Sequence, residues 1–288
     1  MSKRPRQLRG KVTRRIQAIV ISGALVMLLA AGCKANDGGS AGSDQAGRES
    51  GSTRDLPRGA EPVKLDPKNF TTTIDNPYWP MDPGMRWTYS ETDQEGTKQK
   101  VVVTVSDQRK KISNGVTARV VRDTVTADGA IIEDTFDWYA QDKAGNIWYL
   151  GENTAEFENG KLATREGSFE AGVDGAQPGI ILPADPRDGM RYRQEYYKGK
   201  AEDNGEVLST DEMAQAPFGQ FDNALLTKDT TAIDPNVLEY KLYSRGVGPV
   251  LTLGVSGGPG SREELTNLDT ASQKQTEAAG TTPLGSTR

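Results

Sequence analysis

Histidine is absent from all 288 residues. Without imidazole there is no Ser-His-Asp triad, no histidine-ligated metal and no ring that titrates near neutral pH. Cysteine occurs once, as Cys33, which excludes an intramolecular disulfide and any cysteine cluster. The aromatic residues, four Trp, nine Tyr and six Phe, are missing from the first 69 and the last 45 positions, so the folded part is expected between Phe70 and Tyr243. No P-loop, GxGxxG fingerprint or GxSxG elbow is present, and nucleotide cofactors and a serine nucleophile have no support. What remains for general acid/base chemistry is paired carboxylates.

The start of the chain reads as an address. Lys3, Arg4, Arg6, Arg9, Lys11, Arg14 and Arg15 precede an apolar run over residues 18–31 that is broken only by Ser22 and Gly23. This is the charged region and apolar region of an export signal, and the run is short for a spanning helix. It ends Leu29-Ala30-Ala31-Gly32-Cys33, which resembles the lipobox of bacterial lipoproteins, where the thiol takes a diacylglycerol before cleavage. Two acyl chains hold a protein on a membrane where one binds only marginally. Residues 1–32 are therefore expected to be a lipoprotein signal peptide and Cys33 a lipidation site. Export through the Sec route is expected, since Gln17 stands where a twin-arginine signal wants an apolar residue. Removal of the leader leaves 28 basic against 40 acidic residues, a net charge of −12, which argues against a nucleic-acid partner. The expected location is the extracytoplasmic face of the cell membrane, as a monomer.

Residues 33–65 hold the lipidated cysteine and a Gly/Ser-rich stretch without apolar period, expected to be a disordered tether spanning about 30 Å. Residues 266–288 turn to Thr, Ser, Gln, Gly and Ala and read as a disordered tail. Between them, residues 66–265 show short alternating segments separated by turn signals, the pattern of an all-β domain with little helix. Strands are expected at 86–92, 99–106, 116–126, 130–140, 146–151, 156–157, 190–198, 200–209, 224–231, 237–244 and 248–253. Asn114-Gly115 and Asp128-Gly129 supply the positive φ of tight hairpins. The expected fold is one antiparallel curved sheet of about ten strands, a half-barrel or a sandwich. Residues 69–84 carry Pro77, Pro80 and Pro83, which oppose a ladder, so Tyr78 and Trp79 are expected to tuck under the sheet as a plug. Residues 171–189 read as a long loop carrying Ile180, Ile181 and Leu182.

Period-two parity separates Ile132, Phe136, Trp138 and Ala140 from Glu133, Thr135, Asp137 and Tyr139, and Met190, Tyr192 and Tyr196 from Arg191, Arg193, Glu195 and Tyr197. The second set of each pair mixes charge with rings. In an antiparallel sheet such a side is expected to be a solvated outer face. If it holds a ligand, the candidate residues are Asp137, Tyr139, Arg193, Glu195 and Tyr197, with Arg193 pairing a ligand carboxylate or, as the simpler expectation, Glu195 or Asp137. Asp203-Asn204-Gly205-Glu206 and Asp142-Lys143-Ala144-Gly145-Asn146 offer oxygen ligands but lack the alternation of a calcium loop, and read as hairpin turns. No catalytic residue, metal or cofactor is expected.

Several segments together are similar to a widespread family of bacterial secreted proteins and lipoproteins, common in actinobacteria. They are Asn76-Pro77-Tyr78-Trp79-Pro80, Pro83-Gly84, Trp87-Thr88-Tyr89, residues 134–142 (DTFDWYAQD), residues 145–149 (GNIWY), residues 172–179 (GVDGAQPG), residues 192–197 (YRQEYY) and Gly246-Val247-Gly248. The likeness spans roughly residues 66–253 and implies class without activity. A looser likeness to envelope half-barrels that carry lipids is architectural. The functional expectation is a lipid-anchored, non-enzymatic binding or interaction module for a small ligand, a lipid or a protein. The alternatives are a carboxylate-dependent hydrolase of cell-wall or extracellular polysaccharide, with Asp137 and Glu195 as the example pair, and a purely structural surface lipoprotein.

Overall fold

A computed structural model describes residues 56–255 and 260–286. Cys33, the leader and most of the tether lie outside the described residues. After a 3-10 turn at Pro67–Asn69 come β1 (Phe70–Thr71), β2 (Met85–Thr92), β3 (Lys98–Lys111), β4 (Thr117–Ala127), β5 (Ala130–Asp142), β6 (Ile147–Glu158), β7 (Lys161–Thr164) and β8 (Phe169–Glu170). Then follow β9 (Gln177–Leu182), β10 (Arg191–Arg193), β11 (Glu195–Tyr196), β12 (Asp203–Ala216), β13 (Gly219–Thr231), β14 (Leu238–Ser244), β15 (Gly248–Gly254), β16 (Ser261–Thr270) and the helix α1 (Gln273–Thr281). Among the described residues no helix is long and apolar enough to cross a membrane.

All these strands join one antiparallel sheet, not a sandwich. Two five-strand meanders, β2 to β6 and β12 to β16, meet where β16 pairs with β2. Their other edges are brought together by one short segment: β10 pairs with β12, and β11, one residue further on, pairs with β9 beside β6. The sheet therefore curls into a nearly closed barrel. Gly179 makes the seam close, because any Cβ there would overlap the carbonyls of Arg193 and Gln194. Hairpin chemistry follows the residues: Asp128 and Gly129 take φ of 50° and 79° between β4 and β5, and Asn159 and Gly160 take 51° and 71° between β6 and β7.

The proline-rich stretch at residues 72–84 is a plug, as its sequence implies. Asn76 is buried and donates to the carbonyls of Gly145 (3.0 Å) and Pro183 (3.2 Å), while its backbone N–H meets Gln141 (2.9 Å). Pro77 accepts from Gly246 N–H at 2.8 Å, and the Trp87 indole donates to Val247 at 2.7 Å. Gly248 leaves room for the Trp79 and Trp87 indoles. The plug is thus tied to the β5–β6 turn through Gln141 and Gly145, to the chain after β9 through Pro183, and to the β14–β15 turn through Gly246.

Four sequence expectations are corrected. Residues 177–182 are not loop but the strand β9, in which Pro178 and Gly179 sit at the seam. Asp203 to Glu206 open β12 and form no turn, with Gly205 making space for the Tyr192 ring. The ordered chain begins before residue 66, because Arg193 holds the carbonyls of Gly59 (2.8 Å) and Glu61 (2.7 Å) and its own N–H bonds Pro57. The described part of the tail, up to residue 286, is not disordered. Residues 261–270 form β16, and a Ser272/Gln275 capping box starts α1, which packs on β3 and β4.

Candidate functional site

The polar side of β5 faces the inside of the barrel, which overturns its expected exposure to solvent. Cross-strand neighbours share a face, so Asp137 stands beside Val121 of β4 and Glu152 of β6, and Thr135 beside Asp123 and Thr154. Glu133, Thr135 and Tyr139 are buried, and the opposite parity carries the half-buried Ile132 and Phe136 outward. Burial follows closure of the sheet here, not polarity.

Inside is a cavity of about 110 Å³. Among the described residues, six carboxyl groups line it from six strands: Glu91 of β2, Asp123 of β4, Asp137 of β5, Glu152 of β6, Glu239 of β14 and Glu263 of β16. One ammonium group, that of Lys241, accompanies them, and it is bonded to Asp229 at 2.6 Å with Glu239 at 3.6 Å. Trp79 forms part of the wall, its ring 5.7 Å from Tyr139 and 5.9 Å from Tyr243. The Tyr149 hydroxyl lies 2.9 Å from an Asp137 oxygen and 3.0 Å from Glu152 Oε2, while Glu152 Oε1 is buried without a hydrogen-bond partner.

Burial dominates the protonation of this wall. It pushes Asp137 up to about 8, with the Asp123 charge adding to the rise. It raises Glu152 and Glu195 well above the carboxylate range, neighbouring acids reinforcing both, and it lifts Asp203 and Glu239 to about 7. Lys241 also rises: burial alone would lower it, but the charges of Asp229 and Glu239 more than offset that.

Of the five residues singled out from sequence, Asp137 and Tyr139 line the cavity. Glu195 is fully buried just behind them, against Asp203 and within electrostatic reach of Glu152 and Asp137. Arg193 pairs with neither Glu195 nor Asp137. Its guanidinium donates to the backbone carbonyls of Gly59, Glu61 and Pro178, fixing the incoming chain to the seam. Tyr197 lies outside, under the Lys200 ammonium at 4.4 Å. Strict alternation fails at Gln194, where the chain changes partner strand. Tyr192 and Glu195 both end up buried as a result. The Asp142 turn is held internally, its carboxylate accepting from Ala144, Asn146 and Trp148. Glu91, Asp123, Glu152, Glu239, Lys241 and Glu263 went unrecognised, although Glu239, Lys241 and Tyr243 alternate with apolar neighbours in the way a polar interior requires.

No family model matches the sequence, and no curated protein matches it. Two solved structures bear a weak likeness to the chain. One is an inferred exported protein of Bacteroides fragilis with a YmcC-like fold, 15% identical, with a TM-score of 0.37 over 67% of this chain and 99% of that one. The other is an inferred lipoprotein of Parabacteroides distasonis, 14% identical, with a TM-score of 0.36 over 67% of this chain and 98% of that one.

Proposed function

We propose that this chain is a lipid-anchored bacterial envelope protein, of the secreted-protein family its motifs resemble, whose barrel binds a small polar ligand without turning it over. The observation that carries the binding reading is the buried, partnerless Glu152 Oε1 on the wall of the acid-lined cavity. A buried acceptor left without a donor costs about 1–3 kcal/mol, which a bound ligand would recover. At about 110 Å³ the space is well below the ~300–1,000 Å³ of drug-sized sites, and its carboxyls are a poor lining for an acyl chain. The ligand is therefore small and polar, in place of the lipid that a half-barrel carrier would hold.

Native mass spectrometry of the full chain extracted from its own membranes tests this. A bound species of low mass, lost in Glu152→Gln, is expected; a barrel that carries a diacyl lipid, or nothing, would overturn the reading. For the anchor, Cys33→Ser is expected to move the protein from the membrane to the soluble fraction, while unchanged membrane retention would refute lipidation. Hydrolysis is the second reading, favoured by one observation. Asp137 and Glu152 flank the Tyr149 hydroxyl, so their nearest oxygens are at most about 6 Å apart, close to the roughly 5 Å of retaining glycosidases. Turnover of a glycan, abolished in Asp137→Asn, would establish it in place of binding.

A further inference from the structure

We propose that the cavity is a proton-exchanging site for a small organic ammonium ion, whose N–H groups take the Asp137 and Glu152 carboxylates as partners while a proton leaves to solvent. This rests on the binding reading above and names its ligand class.

The wall accepts far more than it donates. Its one ammonium group is already engaged by Asp229 and Glu239. An anion would meet six carboxyl groups and an ammonium group that two of the barrel's acids already hold. A bare metal ion fits poorly too, since among the described residues no three acids converge closely enough to hold one. Carboxyls spread around a small space suit a cation whose donors are spread over several atoms. The ring walls of Trp79, Tyr139 and Tyr243 add cation–π attraction for such a group.

Proton exchange follows from hydrogen counting. The Tyr149 hydroxyl stands within bonding distance of both Asp137 and Glu152, yet it has one proton to give. The other carboxyl must either carry its own proton or receive one from a ligand. Without a ligand cation beside it, it carries its own, as the elevated Asp137 and Glu152 agree. Asp137 is faced by Asp123 from β4, by Tyr149 and Glu152 from β6 and by Glu195 from β11. Lys241 and Glu239 of β14, Glu91 of β2 and Glu263 of β16 line the rest of the cavity. Among the described lining residues, Asp137 and Glu152 have no fixed cation beside them to compete with the ligand. The step balances as R–NH3+ plus the Asp137 carboxylic acid giving the ammonium–carboxylate pair plus one released H+.

Titration calorimetry of the full chain in a maltoside detergent tests this, with 1,4-diaminobutane and its neutral counterpart 1,4-butanediol as probes. Buffers of different protonation enthalpy read the proton. The diamine is expected to release about one proton per site at about pH 6.5 and to bind up to about tenfold tighter per pH unit toward pH 7.5. The diol is expected to bind at least about 100-fold more weakly. Asp137→Asn and Glu152→Gln, checked for folding by thermal melts, are each expected to lose the proton release and about tenfold in affinity. Equal binding of the diol, or diamine binding whose heat is the same in both buffers, would overturn the ammonium proposal and leave the pocket reading standing. No binding of either probe would also overturn it, and the low-mass species sought by native mass spectrometry then decides the pocket reading separately.

Discussion

Raising the pH from about 5 to about 8.5 is expected to cost the folded barrel between about 5 and 10 kcal/mol, read as a fall in Tm of at least roughly 10 °C. Asp137 titrates at about 8 in the folded chain, and Asp203 and Glu239 at about 7, against ordinary values of 3.8, 3.8 and 4.5. Glu152 and Glu195 are displaced in the same direction. Between about pH 4 and 8 the folded protein therefore holds more protons than the unfolded chain, and stability drops as pH rises through that window. Lys241 also titrates higher when folded, but its contribution fails only above the alkaline range of a free lysine and is constant here. Asp203→Asn is expected to flatten the profile. A Tm that stays level or climbs between pH 5 and 8 would show that these acids are ionised inside the barrel.

Asp134→Ala is expected to lower stability by about 3–5 kcal/mol and to free the C-terminal segment. Arg122 and Asp134 are both fully buried on the outside of the barrel beneath the tail. The Arg122 guanidinium forks onto the carboxylate, with Nε donating to Oδ1 at 2.8 Å, and also donates to the carbonyls of Thr282 (2.6 Å) and Pro283 (3.2 Å). Asp134 in turn accepts from Thr124 (2.8 Å) and from the Gly285 N–H (2.8 Å). Removing the carboxylate strands a buried cation, which is the costly way to break such a pair. The joint change Arg122→Met with Asp134→Leu is expected to recover much of the urea midpoint without re-docking the tail, which limited proteolysis after residue 271 would report. A single variant within about 1 kcal/mol of the parent would mean that the pair is not insulated from water.

The first meander was legible because its turns carry Asn-Gly and Asp-Gly and its strands alternate cleanly; β2 to β5 lie within a few residues of expectation except where β3 runs on to Lys111. β16 escaped because SREELTNLDT has only two leucines, and of these Leu265 is turned inward in a row with Tyr89 of β2. α1 escaped because its sequence, QKQTEAAGT, lacks an apolar stripe, and it is held by the cap and by a close approach of Gly280 to Gln108. The site was half legible. Parity placed Asp137 and Tyr139 on one face, but which face is inside depends on whether the sheet closes, and closure depends on one segment that pairs in two directions. For Arg193 and Glu195 the residue types pointed to an ion pair, while the kink at Gln194 sent them to different partners.

The pairing of β16 with β2 joins residues such as Arg86 and Asp269, 183 positions apart. A chain delivered N-terminus first leaves the outer edge of β2 bare until residues 261–270 arrive. Completion thus waits on the delivery of β16, and a product cut short before residue 261 would present an open, sticky margin to its neighbours.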